Sequence, residues 1–222
     1  MTKLKSAAKK QVFIVDDHPM MRDGLRQLMA SEPDLVVCGE ADDVPPAIAQ
    51  IEALQPHLAI VDIDLRTTSG LELIKDLQVR MPKLPVLVIS MHDESLYAER
   101  VLRAGGRGYI MKQEGGKKIL EAIRRVVDGR TYVSEKMAAT IVDIFSGRRA
   151  ESSPVEKLTD REFEVFQHIG RGLSTKEIAD RLHLSVKTIE VHRVKIKEKL
   201  SIQTAPELIR YAVRWVESQN PA

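Results

Sequence analysis

With 222 residues, 43% hydrophobic and 30% charged, the chain suits one large or two ordinary domains of a globular protein. No apolar run approaches the ~20 residues of a membrane helix, and the opening MTKLKSAAKK lacks the apolar core of a secretory signal. A flexible tail and a cytoplasmic, non-membrane protein are expected. Net charge is +2, yet residues 1–146 carry 20 Lys+Arg against 21 Asp+Glu and residues 147–222 carry 14 against 11, which points to a polyanion partner for the second part.

Val12-Phe13-Ile14-Val15 opens the chain's pattern as a continuous apolar run, the mark of a strand covered on both faces. A helix is expected over 19–30, with Pro19 in its first turn, where a missing N–H costs nothing. Leu35-Val36-Val37-Cys38 reads as a second strand; its lone cysteine excludes an internal disulfide and is expected to be a buried thiol. Helical period over 44–54, 70–80, 94–104 and 115–128 alternates with strands at Leu58-Ala59-Ile60-Val61, Val86-Leu87-Val88-Ile89 and Gly108-Tyr109-Ile110-Met111. Pro56, Pro82 and Pro85 punctuate these elements. Five β/α units predict an α/β fold: a doubly wound, flavodoxin-like parallel sheet of order 2-1-3-4-5.

A further helix is expected over 134–146, then a polar linker near 147–154. Beyond it no strand pattern remains. Thr159-Asp160-Arg161-Glu162 and Ser174-Thr175-Lys176-Glu177 are capping boxes, Ser185 suits a third N-cap, and Pro206 suits the start of a fourth helix. The second domain is therefore a smaller all-α unit. Its run from Leu173 to His192 reads helix, tight turn, helix, with small Ala179 allowing close approach and Leu184 plugging the turn.

Strands 1 and 3 end in acid, Asp16-Asp17 and Asp62, at the sheet edge where ligands bind in such folds. Three converging carboxylates repel one another unless a cation sits among them, and hard oxygen ligands select Mg2+. Lys112 ends strand 5 and Ser90 ends strand 4 on the same edge. That set suits phosphoryl transfer: Asp62 as nucleophile, the metal and Lys112 against developing charge, and Ser90 as a hydrogen-bond donor to the product.

Asp16-Asp17, Asp62, Ser90, Tyr109 and Lys112, in that order and spacing, resemble the response-regulator receiver of two-component signalling over about residues 11–128. The resemblance implies phosphorylation of Asp62 by a sensor histidine kinase. It also implies Mg2+ held by Asp17, Asp62 and the backbone carbonyl of Asp64, with Asp16 assisting through water. Ser90 would move toward the phosphate and Tyr109 would turn inward as a switch. The loop Ile63-Asp64-Leu65-Arg66-Thr67-Thr68-Ser69 departs from the family's usual Met-Pro pair, which is expected to free the loop and place Arg66 near the site. Asp62-Ile63-Asp64 also invites a phosphatase reading of the haloacid-dehalogenase type. That motif needs Thr where Arg66 stands, and it leaves Asp16-Asp17 without a role.

On a helix over 186–200, Ile189, Ile196 and Leu200 share the inward face, while Lys187, Val191, Val194, Lys195 and Glu198 lie opposite and Thr188 at the flank. Val191, Lys195 and Glu190 suit base edges; Lys187, Thr188, Lys197 and Lys199 suit phosphates. His192 lies beside the inward face, where structural or phosphate contact outweighs metal ligation. Residues 155–217 resemble the LuxR-type helix-turn-helix of the NarL/FixJ subfamily through Leu158–Glu162, Gly172–Ser174, Lys176–Ala179 and Lys187–His192. That resemblance implies a homodimer on paired sites in double-stranded promoter DNA, formed through the receiver, the last helix at 205–217, or both. Tyr211 and Trp215 there suit either core or dimer seam.

The expected organisation is a receiver at 11–130, helix and linker at 131–154, and a DNA-binding domain at 155–218. The expected function is a transcriptional response regulator switched through Asp62, and not an enzyme. In related two-domain proteins the receiver can cover the recognition helix, and a linker permits release. Two other readings stand beside it: a receiver governed by partner or ligand binding instead of phosphorylation, and a chain that chiefly binds a protein partner and touches DNA weakly.

Overall fold

A computed structural model describes residues 9–146 and 154–219. Residues 1–8, where the tail is expected, and all of the expected linker except Pro154 lie outside that range. By compactness the chain divides into two units, Met1–Asp143 and Ile144–Ala222.

In the first unit β1 (Lys10–Val15), β2 (Leu35–Ala41), β3 (Leu58–Val61), β4 (Val86–Ser90) and β5 (Gly108–Met111) form one sheet of order β2-β1-β3-β4-β5. All its pairings are parallel. The order and the parallel pairing agree with the expected doubly wound sheet. Helices α1 (Pro19–Ala30), α2 (Val44–Leu54), α3 (Gly70–Arg80) and α4 (Glu94–Arg103) connect the strands, and α5 (Gly116–Val127) and α6 (Glu135–Phe145) follow β5.

Alternation along the strands builds two apolar layers. Val12, Ile14, Leu58, Ile60, Leu87, Ile89 and Ile110 pack with Leu25 and Met29 of α1 and Ile119, Ile123 and Val126 of α5. Their neighbours Phe13, Val15, Ala59, Val61, Val86 and Val88, also buried, face the other side. This double coverage is why β1, β3 and β4 read as unbroken apolar runs. β2 differs: it is the sheet's edge, only its first and last residues are buried, and Val36 is 38% exposed. Cys38 is accordingly half-buried, a correction to the expected core thiol. Its Sγ donates to the Val12 carbonyl at 3.5 Å, and burial raises its pKa.

The second unit contains α7 (Asp160–Gly170), α8 (Thr175–Arg181), α9 (Val186–Leu200) and α10 (Ala205–Gln219), preceded by a 3-10 turn at Pro154–Lys157. Both expected capping boxes form, at Thr159/Glu162 and Ser174/Glu177. Phe163, Phe166, Ile178, Ala179, Ile189, Ile196, Leu208 and Ala212 are buried. Trp215 meets Phe163 and Phe166 edge-on, each with ring centroids 5.5 Å apart, and Tyr211 lies 5.9 Å from Phe166. These contacts seat both aromatics against α7, yet each stays half-buried, and the exposed large apolar residue of α10 is Ile209, at 43%.

Candidate functional site

Strand register sets the site. Val15 pairs with Val61, so Asp16 and Asp62 leave the sheet side by side, and the Asp62 amide donates to the Val15 carbonyl at 2.9 Å. Ser90 pairs with Met111, which places Lys112 one residue beyond it. Lys112 Nζ lies 2.7 Å from Asp16 Oδ2 and 2.6 Å from Asp62 Oδ2. Asp16, Asp62 and Ser90 are all buried. The structure thus gathers the acids, the lysine and the hydroxyl at one rim.

Burial pushes the Asp62 carboxyl up to about 6; the Lys112 charge pulls against that, and the charges of Asp16 and Asp64 add to it. Burial works against the Lys112 ammonium, but Asp62 and Asp16 outweigh it and hold Lys112 above its ordinary value. Tyr109 is fully buried, donates its hydroxyl to the His92 carbonyl at 2.8 Å, and is held by burial above the usual phenol range.

The donor set fits a divalent cation. Asp16, Asp17, His18 and Asp62 each offer a ligand atom, all within 4.8 Å of one another. Lys112 pairs with two of the three carboxylates, Asp16 and Asp62, so the cluster holds more acids than lysines in a confined space. Asp16 Oδ1 accepts from the His18 amide at 2.8 Å and Asp62 Oδ1 from the Ile63 amide at 2.7 Å. Asp17 Oδ1 is buried without a well-directed hydrogen bond, although His18 Nδ1 lies 2.6 Å away. Oxygen ligands of this kind suit Mg2+. His18 was not among the expected ligands; its place directly after Asp16-Asp17 was the available signal.

The loop after Asp62 is not free. Arg66 pairs with Asp42 at 2.9 Å, Thr67 binds Asp43 through both its amide and its hydroxyl, and His92 Nε2 lies 3.1 Å from both carboxylate oxygens of Asp64. Where the loop lacks the proline, side-chain bonds to neighbouring turns tie it down, and Arg66 is engaged by Asp42, next to Ala41, whose carbonyl accepts from the Asp16 amide at 3.1 Å. Gly70 closes the loop where its amide donates to the Ile63 carbonyl at 2.8 Å. A Cβ there would stand 1.9 Å from the Asp62 carbonyl oxygen, so only glycine fits.

In the second unit, α8 and α9 form a helix-turn-helix. Leu184 N–H donates to the Ala179 carbonyl at 2.9 Å, and His183 takes the left-handed conformation at φ 50° to make the turn. Arg161, not singled out from the sequence, ties this turn to α7: it donates to the Leu182 carbonyl at 2.9 Å and pairs with Glu164 at 2.7 Å. On α9, Ile189 and Ile196 are buried while Lys187, Glu190, Val191, Val194 and Lys195 are exposed. Val191 and Val194 show 47% and 48% of their surface.

Thr188, His192, Lys197 and Lys199 are half-buried. The Thr188 hydroxyl lies 2.7 Å from Ser185 Oγ at the helix start, and Glu190 accepts from the Thr175 hydroxyl at 3.0 Å. Burial lowers the His192 pKa, and its buried Nδ1 has no hydrogen-bond partner. Lys199 stands apart: Nζ lies 2.6 Å from Glu162 Oε2, tying α9 to α7.

Residues 12–124 match the family described as response regulator receiver domain, and residues 156–212 match the luxR family of bacterial regulatory proteins. The chain is a response regulator. The oxygen regulatory protein NreC of Staphylococcus carnosus is 33% identical over 210 residues, 92% of this chain and 97% of NreC. The DNA-binding transcriptional activator DevR/DosR of Mycobacterium tuberculosis is 32% identical over 211 residues, 95% of this chain and 97% of that protein. RcsB of Salmonella enterica serovar Typhimurium, solved on promoter rprA with the phosphomimetic BeF3-, superposes with a TM-score of 0.64 at 25% identity, over 92% of this chain and 98% of that one. This response regulator therefore joins a receiver to a LuxR-type DNA-binding domain and belongs to a family of non-enzymatic transcriptional regulators. The phosphatase reading is set aside, in keeping with Arg66 paired to Asp42 and Asp64 to His92. Among the described residues no helix is long and apolar enough to cross a membrane.

Proposed function

We propose that Asp62 of this response regulator accepts a phosphoryl group from a sensor histidine kinase in the cytoplasm, and that the phosphorylated form binds promoter DNA as a dimer. The supporting observation is the buried contact of Lys112 with Asp62 and Asp16 at the sheet rim. In the transfer, a carboxylate oxygen of Asp62 forms a bond to phosphorus as the donor's N–P bond breaks. The carboxylate must be ionised to attack, and Lys112 favours that form against burial.

Asp16, Asp17, Asp62 and the Asp64 carbonyl would hold Mg2+, with His18 at its edge; bound there, the ion would neutralise charge on the transferring phosphoryl oxygens. Ser90, fully buried, is positioned to donate to the phosphoryl group, and Tyr109 reports that movement through its bond to the His92 carbonyl. Phosphorylation then shifts an existing equilibrium toward a DNA-competent dimer, joined through the receiver, α10, or both. On DNA, Val191, Lys195 and Glu190 face base edges, while Lys187, Thr188, His192 and Lys197 serve the backbone.

The test is acetyl phosphate labelling followed by phosphate-affinity electrophoresis and a mobility shift with genomic fragments. The parent is expected to label and to bind DNA more tightly once labelled; Asp62→Asn is expected to do neither while keeping its fold. Equal response of Asp62→Asn and parent refutes the reading.

A further inference from the structure

The segment between Asp62 and Gly70 lacks the proline usual at this place, and proline's value lies in limiting the conformations a loop can visit. Here Asp43 supplies the restriction from outside. Its Oδ2 accepts the Thr67 hydroxyl at 2.6 Å, and its Oδ1 accepts the Thr67 amide at 3.3 Å and the Val44 amide at 2.9 Å. The carboxylate is anchored as the N-cap of α2, so it is a fixed point against which the loop is held. Arg66 and Asp42 add an exposed pair beside it, at 64% and 39% side-chain exposure, which solvent weakens. The Thr67 bonds are exposed too, but amide and hydroxyl converge on one acceptor that the helix start already holds in place.

We propose that Asp43 and Thr67 are positioning residues of the phosphoacceptor site: their bonds hold Ile63–Ser69 so that the cation site beside Asp62 is preformed. This rests on the reading of Asp62 as phosphoacceptor. Their effect passes through the backbone that joins Thr67 to Asp62. When the competent loop conformation is only fractionally populated, apparent metal affinity falls by that fraction.

Thr67→Val keeps the shape of the side chain and removes the hydroxyl; Thr67→Ser keeps the hydroxyl. Mn2+, which shares the preference of Mg2+ for oxygen ligands, is titrated into the full unphosphorylated chain, and free ion is counted by electron paramagnetic resonance. Thr67→Val is expected to weaken Mn2+ binding roughly threefold, about 0.65 kcal/mol at 1.36 kcal/mol per tenfold, with an unchanged melting temperature. Thr67→Ser is expected to bind like the parent. The Mg2+ concentration needed for half-maximal acetyl phosphate labelling should rise in Thr67→Val by the same factor.

Parent-like Mn2+ binding in Thr67→Val overturns the positioning role and leaves Asp62 as acceptor untouched. A parent that binds no Mn2+ and takes no label overturns both. Should Thr67→Val aggregate, Thr67→Ala removes the same hydroxyl and decides on the same readings.

Discussion

Lys112 Nζ lies 2.6 Å from Asp62 Oδ2 although β4 separates β5 from β3 in the sheet. The lysine follows the last residue of β5 and spans the tip of β4, where small, fully buried Ser90 ends the strand. One long aliphatic stem thus carries a charge across the rim to the acids beyond β1 and β3.

Lys112→Ala should therefore unmask a repulsion. Without the ammonium, Asp16 and Asp62 stay buried, close and uncompensated, and the receiver is expected to lose roughly 3 kcal/mol in the presence of a chelator. Mg2+ binds the folded form and restores compensation, so the gap between variant and parent should narrow in saturating Mg2+. Urea unfolding of both proteins with and without the metal checks this; an equal gap in both conditions contradicts it.

Much of this rim is legible without coordinates. Asp16, Asp62, Ser90 and Lys112 stand at the ends of apolar runs, and strand ends in a doubly wound sheet share an edge. What stays hidden is contact between distant turns. Nothing in the spacing of Asp43 and Thr67, or of Asp64 and His92, marks them as partners, and the loop read as loose is held by both. The edge position of β2 is masked for a similar reason: Leu35-Val36-Val37 is as apolar as a central strand. In the second unit, helical period separates Lys195 from Ile196 correctly, yet it cannot show that Lys199 is engaged by Glu162, 37 residues earlier in the chain.

Gly70 offers a steric test of the same edge. An alanine Cβ would stand 1.9 Å from the Asp62 carbonyl oxygen and 3.0 Å from Val61 Cγ1. The backbone of the acceptor residue has to move, so Gly70→Ala is expected to cost roughly 2–4 kcal/mol and to slow labelling of whatever folded protein remains. Thermal unfolding combined with acetyl phosphate labelling checks both effects; a parent-like rate would show that the loop yields without disturbing Asp62.

Two lysines of α9 should behave differently. Lys195 is exposed, whereas Lys199 is half-buried against Glu162. Lys195→Ala is expected to weaken DNA binding and lower its salt dependence, with little change in stability. Lys199→Ala leaves a buried carboxylate short of a partner and is expected to cost about 1–2 kcal/mol of stability in this domain. Salt-dependent binding isotherms and unfolding curves separate the two, and a reversal of these roles would move Lys199 back to the DNA face.

Acid should loosen the second domain through Glu162. Burial raises its pKa, but the hydrogen bonds to Lys199 and Thr159 prevail and hold it below its ordinary value of 4.5. A group whose folded pKa is depressed adds stability above its unfolded value and loses it as pH falls through the folded one. Parent and Glu162→Gln should therefore differ by about 1–2 kcal/mol near neutrality, and the difference should shrink on acidification below 4.5. Trp215, the single tryptophan, packs on Phe163 and reports this domain by fluorescence. A difference that stays constant from neutrality to well below that pH would mean the Lys199 contact contributes nothing to Glu162's ionised form.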